Sequence, residues 1–503
     1  MIKKIFSVIV ISFLFTPLTN SQHLFDRQIQ VGLDKIYNFN WSEGSKVFNT
    51  VIKKDPHDPR GYHYKSIIYL WYYLGNFNEA YLDTFYYLAD KSLELADEKI
   101  KADPSADLSY LIGSIYYNKS IAEARSGNYL QALWMSNQMK QNLDDAVNKE
   151  PDLYDAYLGL GLYNFALSQI PSSLEWAANL VGIDADKEAG LDYVKKSMQK
   201  GKLSKIDAEY YLSQIYSRVI VNHPAAKELL SNLVKRYPKN LLFNFSLAWV
   251  NCELNDLNSA FKQLKPIIAS KDSLYPFVVS NSCYLMGNIF FSESLCDSAI
   301  TYYKLFLETA VNDDYKGIAN LRIGLSYELG GNRKEALKFY EKAASGNSDI
   351  DEDMYAERKK NDFLDNKLSV NQIKLIRFSN LVKQNKLIIA KDSLKDFIEL
   401  PKLDDNMLAE AYLYLSEISY RQKKYKESLD FAVNCVKTEI KSDLWIHAYA
   451  HYFAAWDCFY LKKFMDAKLF LLQIDEIDEY DFSSSLSNKI YSLQRLLPGE
   501  TKK

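Results

Sequence analysis

One pattern returns along most of this sequence and constrains its fold more than any other feature. "GLSYELGGNRKEALKFYEKAAS" (Gly324–Ser345), "AWVNCELNDLNSAFKQLKPIIAS" (Ala248–Ser270), "SEISYRQKKYKESLDFAVNCVK" (Ser416–Lys437) and "NFNWSEGSKVFNTVIKKDP" (Asn38–Pro56) share one layout. A small residue lies early in an apolar-periodic stretch and a polar turn follows about ten residues on. A second stretch then opens with another small residue and places an aromatic residue or leucine one turn later. Small residues let two antiparallel helices approach, and large ones fill the space beside them. One such hairpin cannot bury its own apolar face, so the units must stack.

The second-helix anchors fall at Gly44, Ala80, Ala132, Ala226, Ala260, Ala299, Ala336, Ala390, Ser428 and Ala467. The Ala226–Ala260 interval is 34 residues, and Pro56, Pro104, Pro151 and Pro238 stand where second helices must stop. This layout resembles the tetratricopeptide repeat, a 34-residue helix–turn–helix unit. The resemblance implies an all-α fold: an α-α superhelix, a right-handed tetratricopeptide-like solenoid of about ten hairpins. With 38 tyrosines against 18 glycines and 12 prolines, the composition agrees with long helices and aromatic surfaces. The N-terminal hairpins are longer: Ala80 to Ala132 spans 52 residues, and Asn78–Lys101, Ala106–Arg125 and Tyr129–Lys149 contain no breaker. The polar stretch Gly346–Ser369 predicts a loop with an extra helix, and Ser483–Leu497 a capping helix.

A narrower likeness lies at Gly159–Gly201, "GLGLYNFALSQIPSSLEWAANLVGIDADKEAGLDYVKKSMQKG". It is similar to a segment of the outer-membrane or inclusion-body-clearance family of eukaryotic repeat proteins. That segment has a Gly-rich helix, an "LS-x-x-P" break, a short apolar helix and "GF-x-GDR-x-x-GL". The matching residues are Leu167, Ser168, Pro171, Gly182, Ile183, Asp186, Lys187, Gly190 and Leu191. Ile183 replaces an aromatic residue, Ala185 a glycine and Lys187 an arginine. The likeness implies long N-terminal hairpins leading into regular repeats, and no enzymatic activity carries over.

The N-terminus reads as an export signal: Lys3 and Lys4, an apolar core Ile5–Phe15, then Thr19 and Ser21, with cleavage expected after Ser21. An 11-residue apolar core is too short to span a bilayer. No other stretch is long enough, so no transmembrane helix is expected in the mature chain. The expected location is the periplasm or an outer membrane. Five scattered cysteines (Cys252, Cys283, Cys296, Cys435, Cys458) read as buried fillers, with a Cys435–Cys458 bridge as the alternative. The net charge of −3 offers no electrostatic case for nucleic acid.

Motifs that suggest chemistry have simpler readings. Gly159 and Gly161 form a G-x-G with no strand before it, so they read as helix contacts rather than a dinucleotide loop. In "DADKEAG" (Asp184–Gly190), Asp184 or Asp186 serves better as a helix N-cap, with Glu188 in the first turn, than as a calcium ligand. His447 and His451 stand one turn apart without a third ligand, and His57 and His63 are weaker metal candidates still. Trp176 and Leu180 are the exposed apolar candidates of the short helix. No nucleophile, base and orienting group converge, so neither cofactor nor metal is expected and an enzyme ranks third.

The expected function is partner binding along a concave face lined by first helices. Its inward positions are Tyr62, Lys65, Tyr69, Tyr72, Tyr110, Tyr117, Asn118, Tyr163, Asn164, Tyr211, Tyr284, Asn288 and Phe291. Tyrosines and amides suit an extended protein or peptide segment, with a glycan as the alternative ligand. The expected organisation is a signal peptide (1–21), long hairpins (22–205), central repeats (206–348), a seam with an extra helix (349–370), C-terminal repeats (371–482) and a capping helix with tail (483–503).

Overall fold

The computed structural model describes residues 18–167, 186–270 and 274–498. Among these residues every regular element is helical, with 24 α-helices and no strand. They form two compact units: residues to Leu212 with Leu233–Leu241, and Ser213–Asn232 with the residues from Leu242 on.

In the first unit, α1 (Leu18–Tyr37) pairs with α2 (Trp41–Lys54), α3 (Pro59–Asn76) with α4 (Glu79–Ala102), and α5 (Ala106–Arg125) with α6 (Tyr129–Lys149). Then α7 (Ala156–Leu167) pairs with α8 (Lys187–Lys200), and α9 (Lys205–Gln214) follows. Local chemistry sets the ends. Asp58 accepts from the Arg60 amide at 2.9 Å, with Pro59 in the first helical position. Asn78 caps α4, and Asp186 accepts the Glu188 and Ala189 amides at 3.0 Å each to start α8. Pro56, Pro104, Pro151 and Pro238 each lie two residues past a second helix.

Nine of the ten anchors are buried, and Ala80 is the exception. It sits exposed in the first turn of α4, where Asn78 accepts its amide. Over so long a helix the contact register is set further along, by Phe85, Ala89, Ser92 and Ala96. Gly161 of α7 and Gly190 of α8 bring two backbones together. A Cβ on Gly161 would lie 2.7 Å from Val194 Cγ2 and 2.8 Å from the Gly190 carbonyl oxygen. The segment 168–185, with Ser168, Pro171, Trp176, Leu180, Gly182, Ile183, Asp184 and Ala185, lies outside the described residues.

The first unit closes on itself. The Tyr237 hydroxyl donates to Asp34 (2.8 Å), Asn240 Nδ2 to the Tyr37 carbonyl (2.8 Å), and the Tyr37 hydroxyl to Asp207 (2.6 Å). Burial pushes the Asp207 carboxyl up to about 6, although the Tyr37 hydrogen bond pulls the other way.

The second unit contains α10 (His223–Arg236) in part, then α11 (Leu241–Glu253), α12 (Leu257–Ile268), α13 (Pro276–Ser292), α14 (Cys296–Thr309), α15 (Lys316–Leu329) and α16 (Arg333–Tyr340). The predicted extra helix is α17 (Asp351–Asp365), held by Asp353, which accepts the Ile318 and Asn347 amides at 2.9 Å each. Next, α18 (Val370–Lys383) reaches back to α13: Asn380 and Gln384 donate to the Phe291 and Ser292 carbonyls at 3.0 and 2.6 Å. The hairpins α19 (Leu387–Ile398) to α23 follow, through α20 (Asp405–Arg421), α21 (Tyr425–Lys437), α22 (Trp445–Tyr460) and α23 (Phe464–Asp475).

The terminal helix α24 (Ser483–Gln494) does more than cap the last hairpin. Leu486 and Leu493 are buried with Ala448 and Ala455, and the Ser485 amide donates to Asp351 at 2.9 Å. Lys489 stands 4.8 Å from the Tyr449 ring centre. Burial lowers its pKa against the pull of Glu253, Glu417 and Glu352. All five cysteines are free thiols; Cys283, Cys435 and Cys458 are buried, while Cys252 and Cys296 are partly so.

Gly161→Ala should destabilise the protein by about 1–3 kcal/mol, because the methyl group meets the Gly190 carbonyl and the Val194 backbone, which cannot give way as its side chain can. The urea midpoint measures this. Asp207→Asn should act in the opposite direction at alkaline pH. The folded carboxyl holds its proton to about 6 and a free one only to 3.8, so wild-type stability falls as pH rises through that window. The variant should therefore melt above wild type at pH 8, and the gap should close by about pH 4.

Candidate functional site

Five first helices of the first unit converge on a cavity of about 80 Å³. Leu33 comes from α1, His63, Tyr64 and Ile67 from α3, and Tyr110, Ser114, Tyr117 and Asn118 from α5. Leu158 and Gly159 come from α7, with Asp155 just before it, and Asp207 comes from α9. Gly159 belongs here for a packing reason: a Cβ would run into Leu143, which also lines the space.

The two acids differ in kind. Asp155 Oδ1 accepts the amides of Lys202, Leu203 and Ser204 and the Ser204 hydroxyl, at 2.8–2.9 Å, so it is spent on the turn that opens α9. Asp207 faces rings instead. Its charge helps raise the hydroxyl pKa values of Tyr37, Tyr110, Tyr117 and Tyr211, in each of which burial is the largest cause. No ion pair reaches Asp207 among the described residues. His63 is 3% exposed and its Nδ1 has no hydrogen-bond partner. Burial pushes the ring down to about 3, so it is neutral at physiological pH.

The predicted face is only partly a surface. Tyr110, Tyr117 and Asn118 line this cavity, and Tyr211 packs edge-on to Tyr117 with ring centres 6.5 Å apart. Tyr62 and Lys65 are half-buried on α3, while Tyr69 and Tyr72 pack with Tyr81. Asn118, Tyr163 and Tyr284 are buried. Tyr163 donates to Asn137 at 2.7 Å, and burial pushes its hydroxyl up to about 12. Tyr284 stacks on Tyr315, with ring centres 4.8 Å apart. Asn288 accepts from Tyr303 (2.7 Å) and Arg322, Asn164 donates to the Leu160 carbonyl, and Phe291 is half-buried.

The second unit holds a larger cleft of about 510 Å³ between α15, α17, α18, α20 and α22. Tyr355, Met407 and Trp445 line it beside Gln372 and Asn406. Four acids (Asp362, Asp404, Glu410, Asp443) face one base, Lys359. Burial pushes Glu410 up to about 7, against a hydrogen bond from Tyr414 (2.7 Å). Lys359 and Arg358 hold Asp443 low despite its burial. Neither Glu410 nor Asp207 belongs to a sequence motif; their single signal is an acid one helical turn from tyrosine, at Glu410/Tyr414 and Asp207/Tyr211.

His447 Nε2 donates to the Thr438 carbonyl (3.0 Å), and His451 is buried, with its pKa pushed down to about 4. Among the described residues no group of three metal-ligating side chains forms, and no helix is long and apolar enough to cross a membrane.

Residues 113–306 match the family model Iml2/Tetratricopeptide repeat protein 39, a span that includes Gly159–Gly201, and residues 319–345 match a tetratricopeptide-repeat model. No curated protein matches the sequence. Similar solved structures include a tetratricopeptide repeat protein from Parabacteroides merdae (12% identity, TM-score 0.30, covering 55% of this chain and 96% of that one). The P58(IPK) repeat domain has 13% identity and a TM-score of 0.22, covering 76% and 100%. The Cut9–Hcn1 assembly of APC/C has 15% identity and a TM-score of 0.28, covering 96% and 94%. With its helical hairpins, buried small anchors and two matched repeat segments, the chain is a tetratricopeptide-repeat protein.

Proposed function

We propose that this protein is an exported scaffold, acting in the periplasm or at an outer membrane, that binds an extended segment of a protein partner along its first helices. The observation that carries the reading is the cleft of about 510 Å³ in the second unit, within the usual size range of ligand clefts. Its acids outnumber its bases even when Arg358, paired with Asp443 from outside the lining, is counted with Lys359, which favours a segment bearing lysine or arginine over an acidic tail. Export rests on Lys3, Lys4 and the apolar run Ile5–Phe15. In the first unit, taken by itself, the half-buried Tyr62, Lys65, Tyr69 and Tyr72 offer a second set of contact residues.

A glycan is the second reading, favoured by Trp445 and Tyr355 beside Asn406 and Gln372, where rings stack on sugars and amides orient hydroxyls. A photo-crosslinking residue at Met407, inside the cleft, should capture a discrete partner in native cells. The same residue at Leu469, exposed on α23, should not. Equal capture at both positions sinks the proposal, and polysaccharide attached at Met407 selects the glycan.

A further inference from the structure

The two units treat the same chemistry differently. In the second, Lys489 of α24 stands beside Tyr449 and within reach of the charges of Glu253, Glu352 and Glu417, so a lysine answers an interior of acids and rings. In the first, Asp207 sits among Tyr37, Tyr110, Tyr117 and Tyr211, and no lysine or arginine lines the cavity among the described residues. Asp207 is half-buried and accepts a hydrogen bond from Tyr37, yet it has no counter-charge, and a desolvated carboxylate is costly unless it is paired or neutralised.

A second, independent observation comes from His63, which lines the same cavity. Its Nδ1 is buried without a partner, and a neutral imidazole offers one acceptor nitrogen. An ammonium has three N–H donors and no acceptor, which suits a carboxylate and an imidazole nitrogen, and tyrosine rings attract a cation over their faces. We propose that this cavity binds a primary alkylammonium group, with Asp207 as counter-ion, His63 Nδ1 as acceptor, and Tyr64, Tyr110 and Tyr117 as its aromatic wall. At about 80 Å³ it has roughly half the room of a 150 Å³ cavity that accepts benzene, enough for an ammonium and about three carbons. The group is either a free amine or a lysine side chain; the pocket chemistry is common to both.

Binding should follow the ionisation of Asp207. Of the groups around it, burial raises Tyr37, Tyr110, Tyr117 and Tyr211 and keeps His63 neutral, so none of these competes between pH 5 and 8; Asp155 spends its Oδ1 on the amides of the turn before α9. With Asp207 titrating at about 6, affinity should drop about tenfold from pH 8 to pH 5.

The test is calorimetric titration of the full chain with n-propylammonium chloride, and with propan-1-ol as the neutral control. Saturable binding of the amine alone is expected, weakened about 30-fold or more by Asp207→Asn. Ser114→Leu, which fills the cavity while leaving every charge in place, should abolish it. A lysine peptide that binds more tightly than its norleucine counterpart assigns the group to a partner's side chain; binding of the free amine alone assigns it to a small molecule. No saturable binding by either, or binding unchanged in Ser114→Leu or Asp207→Asn proteins with wild-type circular dichroism, overturns the proposal. Because the ligands are defined amines, this outcome is independent of crosslinking at Met407.

Discussion

Close approach of paired helices at small residues is the constraint on which the rest of this structure depends. Where Gly44, Ala260, Ala299, Ala336 or Ala467 faces a neighbouring helix, the two axes come near enough for large side chains to interlock on either side. At Gly161 and Gly190 the backbones themselves nearly touch. Widening any of these crossings would separate Phe85, Tyr303, Phe306 or Tyr340 from the neighbours that keep them from water. The inner helices are positioned by these crossings, and they in turn place Asp207, His63 and the tyrosines around one cavity.

Most of the local structure is legible in the sequence because its causes are local. Caps, prolines and small anchors act within a turn or two, so α5 and α6 fall on their predicted spans and Asp186 starts α8 as its chemistry requires. Ala80 departs from prediction because a 24-residue helix has several turns on which a small residue can face its neighbour, and Ala89 and Ala96 take that place. The position of a small residue in sequence does not specify its rotation about a long axis.

The candidate site was less legible. Tyrosine and asparagine positions do not reveal that hydrogen bonds between distant hairpins close the first unit, or that α24 packs its leucines against α22 in the second. Closure depends on small rotations summed over several hairpins, and no single spacing records such a sum. Asp207 and Glu410 read as ordinary helix acids until the fold surrounds them with rings.

Closing the first unit also changes how it must fold. An open repeat array can start anywhere and grow by neighbour contacts, and it frays from its ends. Here Tyr237 with Asp34 and Asn240 with Tyr37 join positions 203 residues apart, and Tyr37 with Asp207 joins positions 170 apart. Such contacts form only after the intervening hairpins are in register, which slows folding and makes loss of any one hairpin felt by the whole unit. Repeat number is therefore fixed: adding or deleting a hairpin would move Tyr37 away from Asp207, whereas an open solenoid tolerates either change.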